Sequence, residues 1–293
     1  MGAVETADTE SQTVRIAFRI AYAGRRFSGS QQQPDARTVE GVIIDACIRL
    51  GLFSDFRSAA FVSAGRTDAG VSAYGQVIAF STSYPDRAIA ILNQLLPPDC
   101  WSTGWAYVPP GFNPRYAAES RTYRYLFPLA GLDPEMMEAA ARHFIGLHDF
   151  SRIARVVDGR DPRRRIITTE IWIEEGLIIF EVVGESFLWN MVRGMATLLL
   201  AAGSGLITPD RVAEILREPG DRIPAAPADP LILWDVSCGL AYHPMARSSK
   251  AAIWLGEEER SHLVGRKIID WLGGDRLDLS RNEEFNNRLG HLF

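Results

Sequence analysis

From Val14 to Tyr22 apolar residues alternate with small or charged ones, which predicts a strand with one buried face. After a Gly/Gln-rich stretch, Val42, Ile43, Ala46, Cys47 and Leu50 recur at helical spacing within Val39 to Leu50, and Gly51 stands where such a helix would be capped. Ala59 to Ala64 and Gln76 to Ser81 are short β-prone runs around a glycine-bounded loop and predict a hairpin. Pro85-Asp86 opens a second helix through Leu95, and Pro97-Pro98 stops it. Trp101 to Val108 closes the series as a strand.

The same order then recurs. Ser120 to Phe127 predicts a strand, and Asp133-Pro134 an N-cap with proline at the first helical position of a helix stopping at Gly146. Arg165 to Glu174 and Leu177 to Val183 predict a hairpin, Phe187 to Ala202 a helix and Leu231 to Val236 a strand. Each half therefore reads β-α-β-β-α-β, the ferredoxin-like arrangement. Two such units are expected to form an α+β fold, with sheets joined edge to edge into a mainly antiparallel sheet, helices on one side and a cleft between the halves. A break near Pro109 to Pro114 divides an N-terminal half, 14–112, from a C-terminal half, 113–238. Residues 1–13 are expected to be a disordered segment and 239–293 a C-terminal extension. Within the latter, Leu255 to Leu272 is a candidate amphipathic helix that packs either on the main body or on a second subunit.

Composition narrows the class. The 293 residues are 47% hydrophobic and 23% charged, as expected of a globular chain with a sizeable core. A net charge of −5 argues against an indiscriminate polycation but leaves room for a local basic groove. Of 31 basic residues only Lys250 and Lys267 are lysines, so the basic surface is arginine, which binds phosphate bidentately and keeps its charge. Cys47, Cys100 and Cys238 are odd in number and widely spaced, which excludes a disulfide framework and a CxxC zinc site. His143 and His148 are five apart, poor spacing for a metal site on a helix. The apolar run Met195 to Ala202 is too short to span a bilayer, and Met1 to Thr13 lacks the pattern of a signal peptide. Met1 to Thr6 matches a myristoylation pattern only loosely and has no basic patch beside it. These features point to a reducing, cytoplasmic setting without a membrane.

Four stretches could carry chemistry. Gly65-Arg66-Thr67-Asp68-Ala69-Gly70 places a carboxylate and an arginine between glycines that permit positive φ. It reads either as an ordinary hairpin turn or as a reactive carboxylate held ionised by a cation. Asn190, Arg193 and Thr197 make a narrow polar stripe on an otherwise apolar helix, with Arg193 either solvated or aimed inward. The connection from Gly146 to Arg165 reads as a long structureless loop. It carries Arg152, Arg155, Arg160, Arg163, Arg164 and Arg165 against Asp149, Asp158 and Asp161, either a solvated run or a phosphate grip. Arg121-Thr122-Tyr123-Arg124-Tyr125 puts Tyr123 and Tyr125 on one strand face, for packing or for base stacking. No pair of catalytic carboxylates of the glycosidase kind emerges.

Together the pieces resemble the TruA family of tRNA pseudouridine synthases. Ala64-Gly65-Arg66-Thr67-Asp68-Ala69-Gly70-Val71 followed by Gly75-Gln76-Val77 is similar to the family's signature. Tyr22-Ala23-Gly24, Asn93-Gln94-Leu95-Leu96-Pro97, Phe112-Asn113-Pro114-Arg115, Gly146-Leu147-His148-Asp149-Phe150 and Phe187-Leu188-Trp189-Asn190-Met191-Val192-Arg193 follow in family order, across roughly residues 14 to 237. Many members carry tryptophan where this chain has Ser30 and histidine where it has Ser72.

The resemblance implies isomerisation of uridine to pseudouridine in the anticodon stem-loop of tRNA, at positions 38, 39 and 40. It implies Asp68 as the catalytic aspartate, Arg66 beside it, Arg193 as its basic partner and Tyr123 as the aromatic packed beside the target uracil. It also implies a homodimer spanned by one tRNA, with no metal and no organic cofactor. Arg163, Arg164 and Arg165 are the expected phosphate contacts. The carboxylate either attacks C1′ or removes a ribose proton. The competing readings are an RNA-binding or tRNA-chaperoning protein without turnover, and a synthase acting on another RNA.

Overall fold

A computed structural model describes residues 13–157 and 161–272. The segment expected to be disordered up to residue 12, Asp158 and Arg160 of the arginine-rich connection, and residues 273–293 of the extension lie outside the described residues.

Strand β1 (Val14–Tyr22) leads to α1 (Val39–Arg49), β2 (Val62–Ser63), β3 (Ser72–Thr82), α2 (Pro85–Leu95) and β4 (Cys100–Val108). A short helix α3 (Pro114–Ala117) precedes β5 (Ser120–Pro128), α4 (Pro134–Arg142), β6 (Gly146–Asp149), β7 (Arg163–Glu174) and β8 (Leu177–Gly184). Then come α5 (Met191–Gly203), α6 (Pro209–Arg217), β9 (Leu231–Ser237), β10 (His243–Pro244) and α7 (Ser249–Leu272).

The local chemistry explains where these elements start and stop. The Thr38 hydroxyl accepts from the Gly41 N–H at the start of α1. At its end, Gly51 adopts φ 65°, Gly51 N–H donates to Ile48 O and Leu52 N–H to Cys47 O, the paired bonds of a Schellman cap. Asp133 caps α4 by accepting from the N–H groups of Glu135 and Met136, with Pro134 in the first turn.

The strands form one α+β sheet in the order β10-β4-β1-β3-β9-β5-β8-β7-β6, with β2 paired to β3 off that path. β1 lies antiparallel between β3 and β4, and β5 antiparallel between β8 and β9. The orders β4-β1-β3-β2 and β9-β5-β8-β7 are therefore the same ferredoxin-like order twice. The seam is a short parallel pairing of β3 with β9, through Ser72↔Ile232 and Ala73↔Leu233. Farther along β3, Ile78 and Ala79 pair with β2 instead. β3 thus changes neighbour along its length, and the loop from Ala64 to Val71 emerges in the fork between β2 and β9.

Two cores back the sheet. Phe18, Ile43, Phe80, Leu92 and their neighbours fill one, and Phe144, Phe180, Met191, Met195 and Leu198 fill the other. Burial of each large side chain contributes about 1.5–3 kcal/mol. The seam is interleaved: Val71 is buried in the second core, Leu233 and Val236 in the first, and Tyr123 packs against both. The first turns of α7 pack on the main body, where Ala251 is buried against Ala21 and Trp101 with Trp254 and Leu255 beside them, whereas Leu263, Val264 and Ile269 farther along the helix stay exposed.

Four sequence expectations are corrected. The helix expected from Phe187 begins at Met191, because Asn190 adopts φ 66° and Trp189 is held in an isolated antiparallel bridge to Arg155. The connection from Gly146 to Arg165 is not structureless. β6 pairs with the start of β7, and Phe150, Ile153 and Ala154 are buried. The helix expected to stop at Gly146 ends at Arg142, and Gly146, at φ 107°, opens β6. The expected plan also left 203–230 without the helix α6, although Pro209 follows Thr208 at its start.

Candidate active site

The Ala64–Val71 loop is fixed by its backbone before any catalytic side chain is considered. Ser30 N–H donates to Thr67 O at 3.1 Å, and Thr67 N–H donates to the Ser30 hydroxyl at 2.8 Å. The Tyr22 and Thr67 hydroxyls are 2.8 Å apart, and the Gln76 amide donates to Gly65 O at 2.8 Å. Gly24 N–H donates to the Ser72 hydroxyl at 3.1 Å, and Gly24 itself lies so close to the Val71 carbonyl that a Cβ could not fit. Of the two loop glycines only Gly70 uses positive φ, at 88°; Gly65 does not, contrary to the expectation for the pair.

Asp68 projects from this clamped loop toward α5. Arg193 Nη1 donates to Asp68 Oδ2 at 2.7 Å, a pair with side chains 19% and 29% exposed for Arg193 and Asp68 respectively. Arg193 is therefore aimed inward, one of the two alternatives left by its position on the stripe. Its own geometry is fixed twice, by Nε donation to Ala226 O at 2.7 Å and Nη1 donation to Asn190 Oδ1 at 3.1 Å. Thr197 completes the stripe by donating to Pro224 O at 2.7 Å, so all three polar residues bind the segment beside the cleft or one another. A bidentate-capable arginine locked on a partly buried carboxylate fixes the carboxylate's position and surrounds it with positive charge.

Tyr123 of β5 forms the floor. Its ring packs edge-on against Phe187, with centroids 5.0 Å apart. Burial pushes its phenol up to about 12, Asp68's charge pushes the same way and Arg121 opposes. The phenol therefore stays neutral at physiological pH and offers a flat apolar wall rather than a base. Arg121 is spent on backbone carbonyls, including Glu185 O at 2.6 Å and Arg115 O at 2.9 Å, which ties β5 to its surroundings.

These groups line an open cleft together with Arg66, Leu188 and Trp189. Arg66 is exposed at its edge and, among the described residues, makes no ion pair or hydrogen bond. The structure thus brings Asp68, Arg66, Tyr123 and Arg193 together. It does not bring Arg163, Arg164 and Arg165 into the cleft. Arg163 chelates the exposed Asp161, whose carboxyl it holds down to about 2 through side-chain and backbone hydrogen bonds. Arg164 donates to Asp161 O and Arg163 O, and Arg165 lies 3.5 Å from Glu185. This row lies at the start of β7, linked to the cleft wall through Glu185 and Phe187.

Sequence reasoning passed over Ser30, Ser72 and Tyr22 as holders of the loop, and Trp189 and Arg155 as a rim. Hydroxyl bonds to a distant backbone leave no periodic trace, and Trp189 was hidden inside an assumed helix. Among the described residues no three His, Cys, Asp or Glu side chains gather as a metal site requires, and the cysteines are free. No helix of the described residues is long and apolar enough to cross a membrane.

Comparison with known proteins bears on this cleft. A family model described as tRNA pseudouridine synthase matches residues 140–237. A protein named tRNA pseudouridine synthase A from Methanoculleus marisnigri is 49% identical over 263 residues, 89% of this chain and 97% of its own. One of the same name from Methanosphaerula palustris is 46% identical, covering 90% and 95%, and one from Thermococcus sibiricus is 44% identical, covering 88% and 99%.

Proposed function

Because the chain belongs to the tRNA pseudouridine synthase A family and is a tRNA-modifying isomerase, we propose that it converts uridine to pseudouridine at positions 38, 39 or 40 of the anticodon stem-loop, with Asp68 as the catalytic carboxylate. The 2.7 Å pair of Asp68 with Arg193, partly buried in an open cleft that Tyr123 also lines, is the observation that carries this reading. The finer target position rests on the resemblance of the motifs around Asp68 to the TruA signature.

The reaction is an internal transfer, so substrate and product have the same atoms. The N1–C1′ bond breaks with its electron pair going to N1, the uracil turns, and C5 bonds to C1′. C5 then loses its proton, and N1 ends protonated. Asp68 acts in one of two ways: an oxygen attacks C1′ and is later displaced by C5, or it removes a ribose proton and later returns it. Either way the uridine must leave its stack, which costs a few kcal/mol and requires a surface to receive it. The neutral Tyr123 ring supplies that surface below the base. Arg193 holds the carboxylate in place, and Arg66, exposed at the edge, is positioned to meet the RNA. Arg163, Arg164 and Arg165 offer charge to phosphates outside the cleft. The reading includes the homodimer that the resemblance implies and the cytoplasmic setting expected from the sequence.

The test is nucleotide-resolved pseudouridine mapping of an unmodified tRNA transcript incubated with wild-type protein and with Asp68→Ala. Conversion at 38–40 by wild type alone, with tRNA binding retained in the variant, is expected. Turnover by Asp68→Ala would remove Asp68 from its role, and conversion elsewhere in the RNA would move the target.

A further inference from the structure

Between β8 and α5 the chain makes a turn that the reaction chemistry above does not use. Asn190, in the left-handed region at φ 66°, sets Trp189 outside the helix, and Arg155 N–H donates to Trp189 O at 2.7 Å. The indole is therefore anchored through its backbone rather than by burial: it is 49% exposed and lines the mouth of the cleft. The Arg155 guanidinium stands 4.3 Å from the ring centroid. Among the described residues no aromatic ring pairs with Trp189, although Phe187, two residues before it, packs on Tyr123.

A half-exposed indole at the mouth of the cleft, with a guanidinium beside it, presents a flat apolar ring to whatever enters the cleft. The chemistry of the substrate says what that would be. When a uridine is drawn out of a stem-loop, its strand neighbour loses a stacking partner. A flat indole restores that partner without regard to which base is present, because every base has a π face. An adjacent guanidinium strengthens the stack by cation–π contact and puts a positive charge where the RNA backbone turns.

We propose that Trp189 and Arg155 form a base-stacking subsite that takes the nucleobase next in the strand to the extruded uridine. This rests on the reading that the cleft receives a uridine of RNA. It adds a second contact point, distinct from Tyr123, which receives the target uracil itself. Trp189 acts by holding the neighbour, and Arg155 by holding the indole and the adjoining backbone.

The experiment uses the full chain and anticodon stem-loop RNAs that hold a single uridine at position 38, 39 or 40 and carry 2-aminopurine in place of the base 5′ or 3′ of it. On binding wild-type protein, fluorescence at one of those two positions should be quenched as the base stacks on the indole. Trp189→Phe should keep most of the quench. Trp189→Ala should lose it and raise the dissociation constant by about tenfold or more, the loss expected for one base–aromatic stack. Thermal melting of both variants, read against wild type, shows whether either has failed to fold; Trp189→Phe keeps the comparison usable if Trp189→Ala does fail. The proposal is overturned if both positions behave the same in wild type and Trp189→Ala, or if Trp189→Phe is as impaired as Trp189→Ala. Quenching that appears only with 2-aminopurine at the target position would also overturn it. Because binding and quenching need no turnover, they are read independently of pseudouridine formation. A wild-type protein that stacks the neighbour but makes no pseudouridine would sink the reading of the reaction and leave the subsite standing.

Discussion

Two serines help to fix the position of the Asp68 loop, and both stand where the motif resemblance leads one to expect a larger side chain. Ser30 accepts from Thr67 N–H while its own N–H binds Thr67 O, and Ser72 accepts from Gly24 N–H. The hydroxyls serve as small acceptors that let the neighbouring backbone come close, which a tryptophan or histidine could not do in the same way. Ser30→Ala strands a buried N–H, a loss of about 1–3 kcal/mol. Denaturant unfolding should show that loss, and turnover should fall more than tRNA affinity because the loop carries Asp68. Unchanged stability and turnover together would mean that the loop is held by its other bonds alone. At this scale the sequence pointed to Asp68, Arg66, Tyr123 and Arg193 through the motif resemblance. The serines registered only as departures from a pattern, since a hydrogen bond between residues 37 apart has no signature in spacing.

Elements with strong periodicity, among them β1, α1, α2 and the β7–β8 hairpin, were legible almost to their ends. The start of α5 was not. Leu188 continues the apolar spacing of Met191 and Met195, so the pattern cannot reveal that the chain breaks at Asn190. The connection before β7 failed for a different reason: Phe150, Ile153 and Ala154 anchor it without any regular period. Asn190 itself does two things, taking a left-handed conformation and accepting from Arg193. Substitution separates them. Asn190→Gly keeps the backbone permissible and removes only the acceptor, so stability should hold while turnover declines. Asn190→Val should also lose about 1–2 kcal/mol, because a β-branched residue resists positive φ. Equal melting of the two variants would show that the turn carries no backbone strain.

Across the whole molecule, charge is distributed against its own total. The net charge is −5, yet Arg163, Arg164 and Arg165 form a row at the start of β7, partly neutralised by Asp161 and Glu185. Exposed pairs of this kind are worth little, so phosphates can displace the carboxylates at small cost. Replacing the three arginines with glutamine should weaken tRNA binding and flatten its dependence on salt, by about 0.7–0.9 in log–log slope for each phosphate that is no longer neutralised. Dissociation constants measured across a salt series check this, and an unchanged slope returns the row to a purely local role. The interleaved seam has a further consequence, for inheritance. Val71 completes the core of the second half while Leu233 and Val236 complete that of the first, and the Asp68–Arg193 pair draws one partner from each. The repeated plan is therefore not modular: neither half can be exchanged for a relative's without carrying foreign side chains into the other's core. A change accepted on one side of the seam narrows what the other side can accept, and the two halves must drift as a pair.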